Sequence, residues 1–135
     1  MKNYDQFHDG SFDGLLIDRA AVTVFLSTND KQPFVIEAKG VAAIIAGGFK
    51  AGNIIFEVLV REHVELVLRD VTEVYGLPPV SDAVGRAQEL LRDAIERRLM
   101  VLEINPSYGA KCLVLAESII LTRRNEWMAR LTSQL

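Results

Sequence analysis

Along the first sixty residues, short apolar or alternating segments are separated by polar turn clusters, a pattern that reads as strands. Phe12 to Ile17 is a short apolar segment that follows His8-Asp9-Gly10 and is closed by Asp18-Arg19. From Ala21 to Leu26, Val22, Val24 and Leu26 fall on one face and Thr23 and Phe25 on the other. This is the period of two that a pleated strand requires. Beyond the Asn29-Asp30-Lys31 turn, Phe34, Ile36 and Ala38 alternate with Val35, Glu37 and Lys39, predicting a third strand with one wet face. Three consecutive strands joined by short polar loops predict an antiparallel meander.

Gly40 to Gly48 fits either a short helical turn or a buried strand, because its small and apolar residues carry neither period clearly. The short helix is the preferred reading. Gly52-Asn53 is a turn signal before Ile54 to Arg61, a β-branched run that reads as a strand, and Val64 to Leu68 alternates like another. Leu77-Pro78-Pro79 can continue neither a helix nor a central strand and marks a connection. Ser81 then reads as an N-cap, with Asp82 complementing the helix dipole. Val84, Ala87, Leu91, Ala94, Ile95 and Leu99 recur at three- and four-residue intervals, predicting one long amphipathic helix over about 81–99 that lies on the sheet. Met100 to Ile104 returns to strand, Asn105 to Gly109 turns, Lys111 to Thr122 forms a long strand, and a short helix over about 126–132 ends the chain. The order predicts a single α+β domain over 1–135 with a mainly antiparallel, meander-like or sandwich-like sheet.

Composition narrows the setting. Half of the 135 residues are hydrophobic, which is too apolar for disorder and ample for one core. No N-terminal signal pattern and no apolar run near the roughly 20 residues of a membrane span occur, so a cytoplasmic protein without a membrane partner is expected. A single cysteine excludes an internal disulfide framework and fits a reducing compartment. The formal net charge is -3, and the first 75 residues carry 7 basic against 11 acidic side chains, so a nucleic-acid partner is not expected. A mean hydropathy of +0.18 leaves surplus apolar surface to bury, either inside the domain or against another protein, including a second copy as a homodimer.

Candidate chemistry is sparse. Asp9-Gly10-Ser11-Phe12-Asp13-Gly14 has the opening of a calcium loop, but position twelve is Ala20 where a bidentate Glu is needed, and the flanks read as turn and strand. His8-Asp9 could begin a metal site, yet His63 is the only other histidine. Gly47-Gly48-Phe49-Lys50-Ala51-Gly52 resembles a phosphate cradle, but Asn53 and Ile54 stand where a P-loop needs Lys and Ser or Thr. Cys112 lies in an apolar strand, as an inert core thiol does, and no nucleophile elbow is present. No catalytic residue, metal or cofactor is therefore expected.

Four short features also carry a likeness: Phe7-His8-Asp9 before the first strand, Gly40-Val41 after the meander, Gly52-Asn53 before an Ile-rich strand, and Ser107-Tyr108-Gly109 before a long one. Together they resemble small, β-rich bacterial proteins that include some immunity-protein families of polymorphic toxin systems. Phe7 stands where those sequences often have Trp, and the helix over 81–99 is an addition. The resemblance implies a sandwich-like core and tight binding of a protein partner without catalysis. Two readings follow. One is a non-catalytic interaction protein, immunity or regulatory, that uses the sheet's open face or a rim containing His8, Asp9 and Tyr108. The other is a ligand-binding domain or enzyme, with a polar cleft near His8 in which Asp9, Asp13 and Asn53 flank the glycine loop.

Overall fold

The computed structural model describes residues 1–78 and 80–134, so Pro79 of the predicted connection and Leu135 lie outside the described residues. The described residues form seven strands: β1 (Lys2–Asn3), β2 (Ser11–Asp18), β3 (Ala21–Ser27), β4 (Pro33–Gly47), β5 (Ile54–Arg61), β6 (Met100–Tyr108) and β7 (Lys111–Arg123). Three α-helices among the described residues accompany them: α1 (Leu68–Val74), α2 (Ser81–Glu96) and α3 (Arg124–Ser133). The predicted α+β class and antiparallel sheet are present, and β2, β3 and β4 form the meander.

All strand pairs are antiparallel, in the order β1-β5-β2-β3-β4-β7-β6, and β5 also pairs with β6. The sheet therefore curls shut into a barrel. Inward-facing residues Phe12, Val22, Val24, Leu26, Ile36, Val58, Leu102, Ile104, Cys112 and Val114 fill it. The closing contact between β2 and β5 is a single register pair, Ser11 opposite Ile54, so among the described strands Gly14–Asp18 of β2 pairs with β3 on one side and keeps an unpaired edge on the other.

Closure depends on the N-terminal arm, which runs along the edge of β5 opposite β6. Tyr4 N–H donates to the Val58 carbonyl at 3.0 Å, Asp9 N–H to Ile55 at 3.0 Å, and Phe12 N–H to Asn53 at 2.9 Å. Between these points the arm leaves the edge for a 3-10 turn at Asp5–Phe7, which drives Phe7 into the barrel, where it is fully buried and edge-on to Phe34. Gly10 follows because a Cβ there would strike the Ser27 carbonyl oxygen.

Three readings are corrected. Val41 to Ala46 is not a helix; β4 continues through it, with Gly40 at positive φ and a bulge between Val41 and Ala43 that resets which side chains face inward. That break in the period of two is what mimicked a helical pattern. Val64 to Leu68 is not a strand; a 3-10 turn at His63–Glu65 leads into α1, so His63 is half-buried on a turn. Asn105 to Tyr108 is not a turn, because β6 extends through Tyr108.

The long helix forms over Ser81–Glu96, with Ala87 and Ala94 buried. The unanticipated α1 lies between it and the strands, so α2 rests mainly on α1 and the preceding turn. Leu91 and Ala94 join Leu66, Val74, Leu99, Val101, Leu113 and Leu115 in a second core on the outer wall. The C-terminal helix covers another part of that wall, with Trp127 edge-on to Phe25 at 5.3 Å.

Candidate functional site

The place where the arm leaves β5 is an opening in the surface. Opposite the 3-10 turn, the pairing of β5 with β6 shifts register between Ile55 and Glu57, and the extra residue, Phe56, turns outward to 51% exposure. Its carbonyl takes a hydrogen bond from His8 Nδ1 at 2.8 Å. A carbonyl can only accept, so Nδ1 carries the proton and Nε2 is the ring's free nitrogen in the neutral form. The imidazole and Phe56 rings meet edge to face at 5.7 Å, and His8 Nε2 lies 3.6 Å from Asp9 Oδ2.

This opening is a pocket of about 350 Å³ lined by Asn3, Tyr4, Asp5, His8, Phe56 and Glu57. Behind Glu57, on the same face of the strands, stands a polar network. Asn105 uses both amide hydrogens, donating to Glu57 Oε2 at 2.8 Å and to Glu103 Oε2 at 2.6 Å. Arg61 donates to Asp70 at 2.8 and 2.6 Å and to Glu103 at 2.9 Å. Asp70 also accepts the Val67 N–H at 2.9 Å, starting α1. The hydrogen bond with Asp70 outweighs desolvation, and the two carboxylate charges add to it, so the Arg61 guanidinium is held charged well above its ordinary range. The arrangement staples α1 to the barrel and holds the Glu57 carboxylate at the pocket wall.

The five residues singled out by sequence lie around the β2–β5 seam but divide by role. His8 and Asp9 are exposed there, and Tyr108, 55% exposed, sits opposite Ile54 on the neighbouring strand. Asn53 is engaged internally: its Oδ1 accepts from Lys50 N at 2.9 Å and Ala110 N at 3.1 Å, against the positive-φ Gly109. Asp13 accepts from Ser11 and Ser27, each at 2.6 Å, and from Arg124 at 2.9 Å. Partial burial pushes the Asp13 carboxyl up, but these hydrogen bonds and the Arg124 charge prevail and hold it below the usual carboxylate range. Asp9, Asp13 and Asn53 do not line the pocket beside His8.

Tyr4, Asp5, Phe56 and Glu57 were missed. The available signal was Glu57, the only charge in the apolar run Ile54 to Val60. Burial pushes the Cys112 thiol up to about 12, leaving it protonated and unreactive at neutral pH. Among the described residues, no group of three or more His, Cys, Asp or Glu is arranged to hold a metal ion. No helix of the described residues is long and apolar enough to cross a membrane. Comparison with family models, curated proteins and solved structures found no match.

Proposed function

We propose that this chain is a non-catalytic protein-interaction domain, of an immunity or regulatory kind, which binds another protein through the rim around the seam. The observation that carries this reading is a set of large side chains turned outward beside His8 and Asp9. Ile54, Phe56 and Tyr108 are 44%, 51% and 55% exposed, while Ile55, Val58, Leu102 and Ile104 on the same strands are buried. Half-exposed aromatic side chains inside a polar surround are the usual energetic centre of a protein interface. The surround holds Asp5, Asp9 and Glu57, which suits a partner surface that is basic.

The partner is another protein or a second copy of this chain. The same reading has the protein act in the cytoplasm of a bacterial cell, without cofactor, nucleic acid or membrane. The 350 Å³ pocket favours a second reading, a small-molecule-binding domain or enzyme whose cleft contains His8.

A photo-crosslinking amino acid placed at 56 or 108, with position 16 as control, separates these readings in cells that express the protein. Leu16 is 51% exposed and lies five residues along β2 from the seam at Ser11, about 17 Å away at strand spacing. Binding through the rim predicts one adduct of defined mass from 56 and 108 and none from 16; an adduct of twice the chain mass identifies a homodimer. No adduct, or equal adducts from all three positions, contradicts it.

A further inference from the structure

The pocket at the seam carries more chemical information than the apolar rim around it. Two of its six lining residues, Asp5 and Glu57, are carboxylates, two, Tyr4 and Phe56, are aromatic, and none is Lys or Arg. Among the described residues, neither Asp5 nor Glu57 takes part in an ion pair. Glu57 is half-buried and has only the Asn105 amide on one oxygen. The nearest cation along its own strand face, Arg61, is committed to Asp70 and Glu103, so it does not neutralise Glu57. Lys2 is next to Asn3 in the arm, but successive strand residues point to opposite faces.

A half-buried carboxylate without a cation is an unfavourable element in a resting protein, and a ligand that brings the missing charge relieves it. An anion would meet two like charges. A neutral ligand would leave the half-buried Glu57 carboxylate uncompensated. A planar cation suits both components of the lining, since guanidinium pairs with carboxylates through parallel N–H bonds and lies against aromatic rings with little loss of hydration.

We propose that this pocket is a receptor for a guanidinium group and that its occupant is an arginine side chain of the protein partner. This rests on the interaction reading above and names the chemistry of the partner at that rim. In the bound state the guanidinium bridges Glu57 and Asp5 between Tyr4 and Phe56, and His8 fixes the Phe56 wall through its bond to the Phe56 carbonyl.

The test is a nitrogen-15 NMR titration of the intact chain with N-acetyl-arginine amide, with N-acetyl-citrulline amide as the neutral isostere, and with a short arginine-containing peptide. The expected result is saturable shifts confined to the arm and to residues 55–58, with a dissociation constant of about 1–10 mM for so small a ligand. Citrulline should bind at least about tenfold more weakly, and Glu57→Gln, which keeps the Asn105 contact and the pocket shape, should weaken arginine by a similar factor. Tighter binding of the peptide than of the amide places the arginine on a macromolecule; exclusion of the peptide assigns the pocket to a free small molecule and overturns the protein source. Equal binding of citrulline, no saturable shift, or indifference to Glu57→Gln overturns the guanidinium site itself. Crosslinking from 56 and 108 that persists alongside such a failure would leave the interaction reading standing without this occupant.

Discussion

Replacing Arg61 with Met tests the polar staple behind the pocket. The Arg61 side chain is 13% exposed and its partners Asp70 and Glu103 are 2% and 11% exposed, so three ionised groups share one nearly dry site. Arg61→Met keeps the aliphatic stem and removes three hydrogen bonds and the cation that Asp70 and Glu103 share. Asp70 is left with the Val67 N–H and Glu103 with the Asn105 amide. Removing one member of a buried ion pair costs about 3–5 kcal/mol, because the remaining charge is neither solvated nor paired. At a urea slope of about 2 kcal/mol per molar, the midpoint should fall by about 1.5–2.5 M. The fluorescence of Trp127, the single tryptophan, reports global unfolding from the α3 side of the barrel. A triple variant, Arg61→Met with Asp70→Leu and Glu103→Gln, removes the stranded charges. It should return to within about 1–2 kcal/mol of the parent, the residual being the lost start of α1. A single-variant loss below about 1 kcal/mol, or a triple variant no more stable than the single one, would refute the reasoning.

Asp13→Asn should cost about 1–2 kcal/mol at pH 7, since hydrogen bonds to a charged acceptor are stronger than neutral ones. The Asp13 carboxyl is held below its ordinary range in the folded chain, so its contribution is present above the unfolded value near 3.9 and disappears as pH falls through the folded value. Urea midpoints of parent and variant should therefore differ at pH 7, and the gap should narrow progressively as pH is taken below the unfolded value; a gap that widens on acidification would contradict the assignment. Cys112 should not react with a thiol reagent in the native protein and should react fully in denaturant, and rapid native labelling would place it outside the core.

What the sequence made legible, it made legible through period. β3 and the first half of β4 show a period of two because one face of each lines the barrel, and α2 shows its stripe because one side meets α1. What stayed hidden depends on partners distant along the chain. α1 is seven residues long and begins at a Val67 N–H satisfied by Asp70, which is itself held by Arg61 from β5. Closure of the barrel rests on bonds between residues 4–12 and 53–58, and no local pattern encodes that pairing. The site divides in the same way. His8, Asp9 and Tyr108 stood out as polar or aromatic residues at turns and are exposed. Phe56 and Glu57 were concealed in an apolar run, because a single-residue bulge, not composition, turns Phe56 outward. Asp13 and Asn53 looked like ligands because turn-forming side chains are also ligand types; here they bond to Arg124 and to backbone N–H groups.

The most direct measurement of the central claim is the affinity of the protein captured by crosslinking from position 56, purified and titrated calorimetrically against the parent chain and against Phe56→Ala with Tyr108→Ala. Both side chains are about half exposed, so their removal leaves the barrel core untouched. Two aromatic anchors at an interface centre predict a loss of at least about 100-fold, with Leu16→Ala binding as the parent does. Unchanged affinity of the double variant, or equal loss in Leu16→Ala, would contradict a rim built for a protein partner.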